Sequence, residues 1–160
     1  MKHQLSILLF LATLTSCVFY SCTKDVAKNP LLAYSDKALL DSAKNASVFI
    51  YYKNDASTLY PGTTGAHSAF KLKFNKIAAT VLTDNGKIPV GQQFPNGSFI
   101  VKEMQSGLNA FMYKKEGTWL WAEVYNNGDV FYSVNKDPQP CISCHSQSGQ
   151  RDLVVTFNFY

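Results

Sequence analysis

The tightest constraint on the fold is a change of hydrophobic period near residue 69. From there Phe70, Leu72 and Phe74 alternate with Lys71, Lys73 and Asn75, the period of two of a half-buried strand. Further strand-like runs cover Ser98 to Met104, Ala110 to Lys114, Trp119 to Tyr125 and Val130 to Val134. Turn residues punctuate this region at Asp84-Asn85-Gly86-Lys87, Pro95-Asn96-Gly97, Glu116-Gly117 and Asn127-Gly128-Asp129. Val154, Thr156, Asn158 and Tyr160 alternate with Val155, Phe157 and Phe159, so the chain end is expected to pair as a strand inside the sheet and anchor the segment before it. Upstream, Leu39-Leu40, Ala43, Ala46-Ser47 and Ile50-Tyr51 have helical spacing, which predicts one main helix over Ser35 to Tyr52, capped by Ser35 or Asp36. Asn75 to Leu82 reads as a helical turn or a continued strand. The expected fold is mostly β (α+β): an antiparallel sheet of about five or six strands with one main N-terminal helix.

A length of 160 residues suits a single core. With 46% apolar and 14% aromatic residues, a disordered chain is excluded. The net charge of +4 is modest and acids are interspersed with the lysines, so no basic stripe for nucleic acid is present. The start is different in kind. Met1-Lys2-His3-Gln4 is positive and Leu5 to Leu14 is almost unbroken apolar, the pattern of a secretory signal and too short for a membrane span. It ends in Leu14-Thr15-Ser16-Cys17, which resembles a bacterial lipobox, with Cys22 as the second candidate. The expected organisation is a lipoprotein-type signal over 1–16, a tether over 17–34 and one domain over 35–160. An uncleaved anchor and a plain signal peptide are the alternatives. All place the domain outside the cytoplasm, on the periplasmic side, touching membrane only through its N-terminus.

The motif with chemistry is Cys141-Ile142-Ser143-Cys144-His145, the attachment signature of c-type haem. Two thiols with two residues between them can add to the two vinyl groups of one haem edge. The histidine that follows is then placed to ligate iron, its other ring N–H donating to a backbone carbonyl. A thioredoxin-like redox pair, a zinc site and a strained local disulfide are the competing readings. The first normally opens a helix after a strand in an α/β domain, and the second lacks another cysteine pair in the domain. For a second axial ligand the candidates are His67, Met104 and Met112, each with an ordinary structural role as the alternative. Phe70, Phe74, Phe94, Phe99, Phe111 and Trp121 are candidates for the wall of a dry pocket, or ordinary core.

Several stretches together resemble the cytochrome P-460 family and its relatives, the beta-type cytochromes c-prime. They are Gly65-Ala66-His67, Asn75-Lys76-Ile77-Ala78, Phe94-Pro95-Asn96-Gly97-Ser98-Phe99-Ile100-Val101-Lys102-Glu103, Trp119-Leu120-Trp121-Ala122, Cys141 to His145, and Arg151-Asp152-Leu153-Val154. The resemblance implies a haem on an antiparallel sheet, five-coordinate iron and a homodimer. It also implies one of two activities. In cytochromes P-460 a lysine is joined covalently to the porphyrin and hydroxylamine is oxidised; the beta-type cytochromes c-prime lack that link and bind nitric oxide in an apolar pocket. Lys71 and Lys73 are the candidates for the lysine, although strand patterning also allows both to face solvent. Lys102 is not mapped to the link. Glu103 is the candidate proton acceptor, or a surface partner of Lys102. The planar fork of Arg151 suits a haem propionate, or an ion pair with Asp152 or another acid. The expectation is a protein with one covalent haem c, a small gaseous or nitrogenous ligand and a redox partner protein. A six-coordinate electron-transfer cytochrome is the alternative.

The lipobox reading predicts that Cys17→Ser abolishes incorporation of labelled palmitate and releases the protein from membranes. Labelling that survives Cys17→Ser and is lost in Cys22→Ser would move the anchor.

Overall fold

The computed structural model describes residues 35–62 and 67–160, and the signal, the lipobox and the tether lie outside the described residues. Helix α1 (Asp36–Lys44) begins where the Ser35 side chain accepts from the Ala38 N–H at 3.2 Å, with Asp36 in the first turn and Lys44 in the last, matching the helix dipole. Six strands follow: β1 (Phe49–Tyr51), β2 (Phe70–Asn75), β3 (Phe99–Met104), β4 (Leu108–Lys115), β5 (Thr118–Tyr125) and β6 (Val130–Tyr132). They form one sheet in chain order, each pair antiparallel. Two short helices complete the fold, α2 (Lys76–Ala79) after β2 and α3 (Gln139–His145) after β6. The expected class, mostly β with an antiparallel sheet, is the observed one.

Two expected elements differ. The helix stops at Lys44, a 3-10 turn follows, and Phe49–Tyr51 becomes an edge strand with Ile50 opposite Phe74. Those aromatic and β-branched residues fit helical spacing, but the pleated edge of β2 gives their backbone a ladder to join. The chain end is not a strand: Val155–Asn158 is a 3-10 helix. Its apolar residues cover a sheet face instead of extending an edge. Phe157 packs against Tyr52 and Phe74, Lys87 Nζ donates to the Phe157 carbonyl at 2.6 Å, and Tyr52 Oη donates to the Tyr160 carbonyl at 2.9 Å. The anchoring expected of this segment is therefore made by side chains.

Asn75 ends β2 by local chemistry. Its Oδ1 accepts from the Ala78 N–H, capping α2, and from the Phe99 N–H that starts β3, while Nδ2 donates to the Gly97 carbonyl. Gly97 has φ of 87°, and an added Cβ would lie 3.1 Å from Ile77 Cδ1, so the tight Asn96-Gly97 turn needs glycine.

Both faces of the sheet are apolar. On one, Leu39, Leu40 and Ala43 of α1 pack on Phe49, Phe99, Val101, Phe111, Tyr113, Ala122 and Val124. On the other, Phe70, Leu72, Phe74, Ile100, Met112, Trp119 and Trp121 form a second cluster with Val154 and Phe157. Replacing Phe157, which is 2% exposed, with alanine should lower the unfolding free energy by about 3–5 kcal/mol in urea denaturation. A loss under about 1 kcal/mol would show that the C-terminal segment is not a core element.

Candidate functional site

The second face leaves a cavity of about 320 Å³, the size of small-molecule and cofactor sites. Its floor is one row across the sheet: Leu72 opposite Lys102, Lys102 opposite Ala110, and Ala110 opposite Glu123. Ala110 is small, so the row dips between a lysine and a glutamate. Phe70, Ile100, Met112 and Trp121 also line the cavity, with Tyr160 from the chain end and Cys141, Cys144 and His145 from α3. Cys141 lies three residues before Cys144 and four before His145, so helical spacing brings all three toward one side.

His145 is held in one orientation. Its Nδ1 is 2.7 Å from the Leu153 carbonyl oxygen. A carbonyl only accepts, so Nδ1 carries the ring hydrogen and Nε2 keeps the free lone pair. The Trp121 ring packs edge-on against the imidazole at 4.6 Å between centroids. Burial, with Lys102 and His67 nearby, pushes the imidazole down to about 4, against the opposing bond to Leu153, so the ring is neutral at pH 7. Trp121 Nε1 is buried with no hydrogen-bond partner among the described residues.

Cys141 and Cys144 are free thiols. Burial, reinforced by Glu123, pushes Cys141 up to about 11. That is the reverse of the lowered thiol of a disulfide oxidoreductase. Among the described residues no group of three or more His, Cys, Asp and Glu side chains is arranged to hold a metal ion by itself.

Across the floor runs a polar chain. His67 Nε2 is 2.8 Å from Glu123 Oε1, and Lys102 Nζ is 3.3 Å from His67 Nδ1. The carboxylate accepts from Nε2–H, which leaves Nδ1 to accept from the lysine. Lys102 Nζ also lies 4.3 Å from the Phe70 ring centroid, and burial lowers its pKa to about 8.

Most of the other candidates from the sequence fall elsewhere. Lys71, Lys73 and Glu103 alternate with the pocket residues and project to the α1 side. Lys73 is not solvated: it is 2% exposed, donates to the Ala43 carbonyl at 2.7 Å and pairs with Glu103, which also accepts from Tyr51. Phe74 flanks the pocket, stacked on Phe94 and Phe157, and does not line it. Phe99 packs under α1 and does not line the cavity, whereas Phe111 belongs to the α1-side cluster and also borders the cavity. Met104 is buried in the pocket-side cluster outside the cavity lining, whereas Met112 and His67 line it. Arg151 does not line the cavity. It donates to the Ile88 carbonyl at 2.5 Å and to Asp84 at 2.8 Å.

Lys102, Glu123 and Asp152 carry the polar structure of the site; from sequence Lys102 and Asp152 figure only as surface ion-pair partners of Glu103 and Arg151, and Glu123 does not stand out at all. Period two on β3 and β5 was the available signal: Lys102 shares a face with Ile100, and Glu123 with Trp121. Asp152 has no such signal. Its side chain is 7% exposed and pairs with Lys114, whose side chain is 3% exposed, at 2.9 Å. It also accepts from the Phe94 N–H at 2.8 Å and Trp119 Nε1 at 3.2 Å. Asp152 and Leu153 have φ of 47° and 64°, left-handed conformations that cost non-glycine residues roughly 1–3 kcal/mol each. Comparison with protein-family models, curated proteins and solved structures finds no match.

The lowered pKa of Lys102 has a stability consequence. Between about pH 8 and 10.5 the unfolded chain keeps a proton that the folded chain has released, so this lysine makes stability rise with pH there; below pH 8 its cost is full. Cys141 acts oppositely, because the folded thiol stays protonated from 9.0 up to about 11. Subtracting Lys102→Met from wild type isolates the lysine. The unfolding free-energy difference of the unliganded chain should favour wild type increasingly from pH 8 to 10.5, and a flat difference would show that the amine is solvated.

Proposed function

We propose that this chain is an exported single-haem c-type cytochrome with an open iron position, which binds nitric oxide or oxidises hydroxylamine-like nitrogen compounds. The observation that carries the reading is His145: a neutral imidazole beside two free thiols in the cavity wall, with Nδ1 occupied by a backbone carbonyl and Nε2 left free. This is the donor set and tautomer that a haem iron with two thioether links requires. The residues fit the group in two further respects. The cavity is walled largely by apolar and aromatic side chains, and the buried Trp121 indole N–H is an unused donor that a bound group with carboxylates can satisfy.

In this reading Cys141 and Cys144 hold the haem and His145 ligates it. When bound, the haem supplies a redox-active iron to which a small nitrogen ligand can bind. The remaining work belongs to the chain. Phe70, Leu72, Ile100 and Met112 exclude water from the cavity. Lys102, His67 and Glu123 form the polar side, where protons leaving a nitrogen substrate can pass through His67 to Glu123. This moves the proton-acceptor role expected of Glu103 to Glu123. The lysine–haem bond that the resemblance implies for the hydroxylamine-oxidising proteins falls to Lys102 instead of Lys71 or Lys73. The homodimer and the redox partner protein remain part of the proposal through the resemblance. Val130 and Phe131, 49% and 54% exposed on edge strand β6, offer apolar surface for such contacts.

Produced in a host with haem-attachment machinery, the denatured protein should keep haem, and Cys141→Ser with Cys144→Ser should lose it. A wild-type protein without covalent haem would sink the reading. The ferrous protein should be high-spin and bind nitric oxide or carbon monoxide rapidly without oxygen. A low-spin spectrum unaffected by either gas would select the electron-transfer alternative, with Met112 or His67 as the ligand to test. A Lys102 peptide that retains haem after digestion would select the hydroxylamine oxidase.

A further inference from the structure

Leu153 supplies the carbonyl that orients His145, and its own placement needs explaining. It follows Asp152 in a second consecutive left-handed conformation, an arrangement that non-glycine residues keep only when their surroundings force it. The forcing groups surround Asp152. Its carboxylate is gripped by Lys114 Nζ at 2.9 and 3.0 Å, accepts from the Phe94 backbone N–H at 2.8 Å, and shares Trp119 Nε1 with its own carbonyl, 3.0 Å away. On the far side, the Leu153 N–H donates to Ser148 Oγ at 3.2 Å. Arg151, one residue upstream, ties the loop to Ile88 and Asp84. The Leu153 peptide is thus fixed at both ends, and its oxygen meets Nδ1 of His145.

We propose that Asp152 is a positioning residue for the iron ligand: its buried pair with Lys114 locks the left-handed Asp152-Leu153 turn, and the turn sets the orientation and donor strength of His145. The inference rests on the haem reading above. Lys114 and Trp119 lie on β4 and β5, the strands that also carry Met112 and Trp121. The sheet that floors the pocket therefore also governs the histidine at its wall, through a charged side chain that touches neither the haem nor a substrate. Hydrogen bonds to the second nitrogen of a metal-bound imidazole tune its basicity, and losing such a partner commonly changes metal-site properties about 10–100-fold.

The test uses the haem-loaded protein and does not depend on turnover. Wild type, Asp152→Asn and Lys114→Met are compared by the iron–histidine stretching band of the ferrous form and by reduction potential, with circular dichroism as the check on folding. Asp152→Asn keeps an acceptor for the Phe94 N–H but removes the ion pair. Lys114→Met keeps the hydrocarbon stem and removes the charge. Haem stays attached in both, because the cysteines are untouched. The expected result is a stretching band shifted to lower frequency, a changed potential and faster loss of bound carbon monoxide, in a protein that remains folded. An unchanged band and potential in both variants would overturn the inference while leaving the haem reading intact. A wild type that carries no haem would instead overturn the reading beneath it. If one variant does not fold, the other decides the matter by the same band.

Discussion

A six-stranded sheet with apolar side chains on both faces is stable only if both faces are covered, and this chain has few elements with which to cover them. Helix α1 closes one face along Leu39, Leu40 and Ala43. The second face receives α3 and the last residues, short pieces anchored by Val154, Phe157 and Tyr160. Such a cover does not tile the face completely, and the gap between α3, the chain end and the strands is the cavity. The site is therefore a consequence of how the second face is closed, and the three chemically distinctive side chains of α3 stand at its edge because α3 is part of the lid.

Lysines on the sheet show how burial redirects polar residues. Lys73 lies beneath α1, where it satisfies the carbonyl of Ala43 near the helix C-terminus and pairs with Glu103. Lys114 is buried against Asp152. Removing one partner from such a pair leaves an uncompensated charge, so these pairs act chiefly as locks on position. Lys102 differs in facing the cavity, where it meets His67. One residue type serves three purposes, decided by what covers each face.

Much of the sheet was legible because its signals are local. Alternation over Phe70 to Phe74 and the Glu116-Gly117 and Asn127-Gly128 turns depend on neighbours in sequence, and the strands appear there. The misread elements depend on distant partners. Phe49–Tyr51 is a strand because β2 offers it a ladder, and Val155–Asn158 is a 3-10 helix because a face, not an edge, awaited it. Side-chain partnerships were less legible still. His67, Lys102 and Glu123 come from three separate segments, and no spacing rule joins them. Alternation places Lys71 and Lys73 on one face, but it does not say which face carries the cavity, and only the β2–β3 register brings Glu103 to the same side.

By itself the sequence determined the period-two strands, the turns between them and the Cys141-to-His145 cluster with its covalent spacing, because each is set by backbone preference or by bond lengths over a few residues. Only the tertiary structure decided which face of the sheet carries the cavity, which lysine faces it, and that the Leu153 carbonyl holds the imidazole of His145 in one orientation. Those outcomes depend on packing between segments far apart in the chain, where burial and the need to satisfy every buried polar group choose the partners.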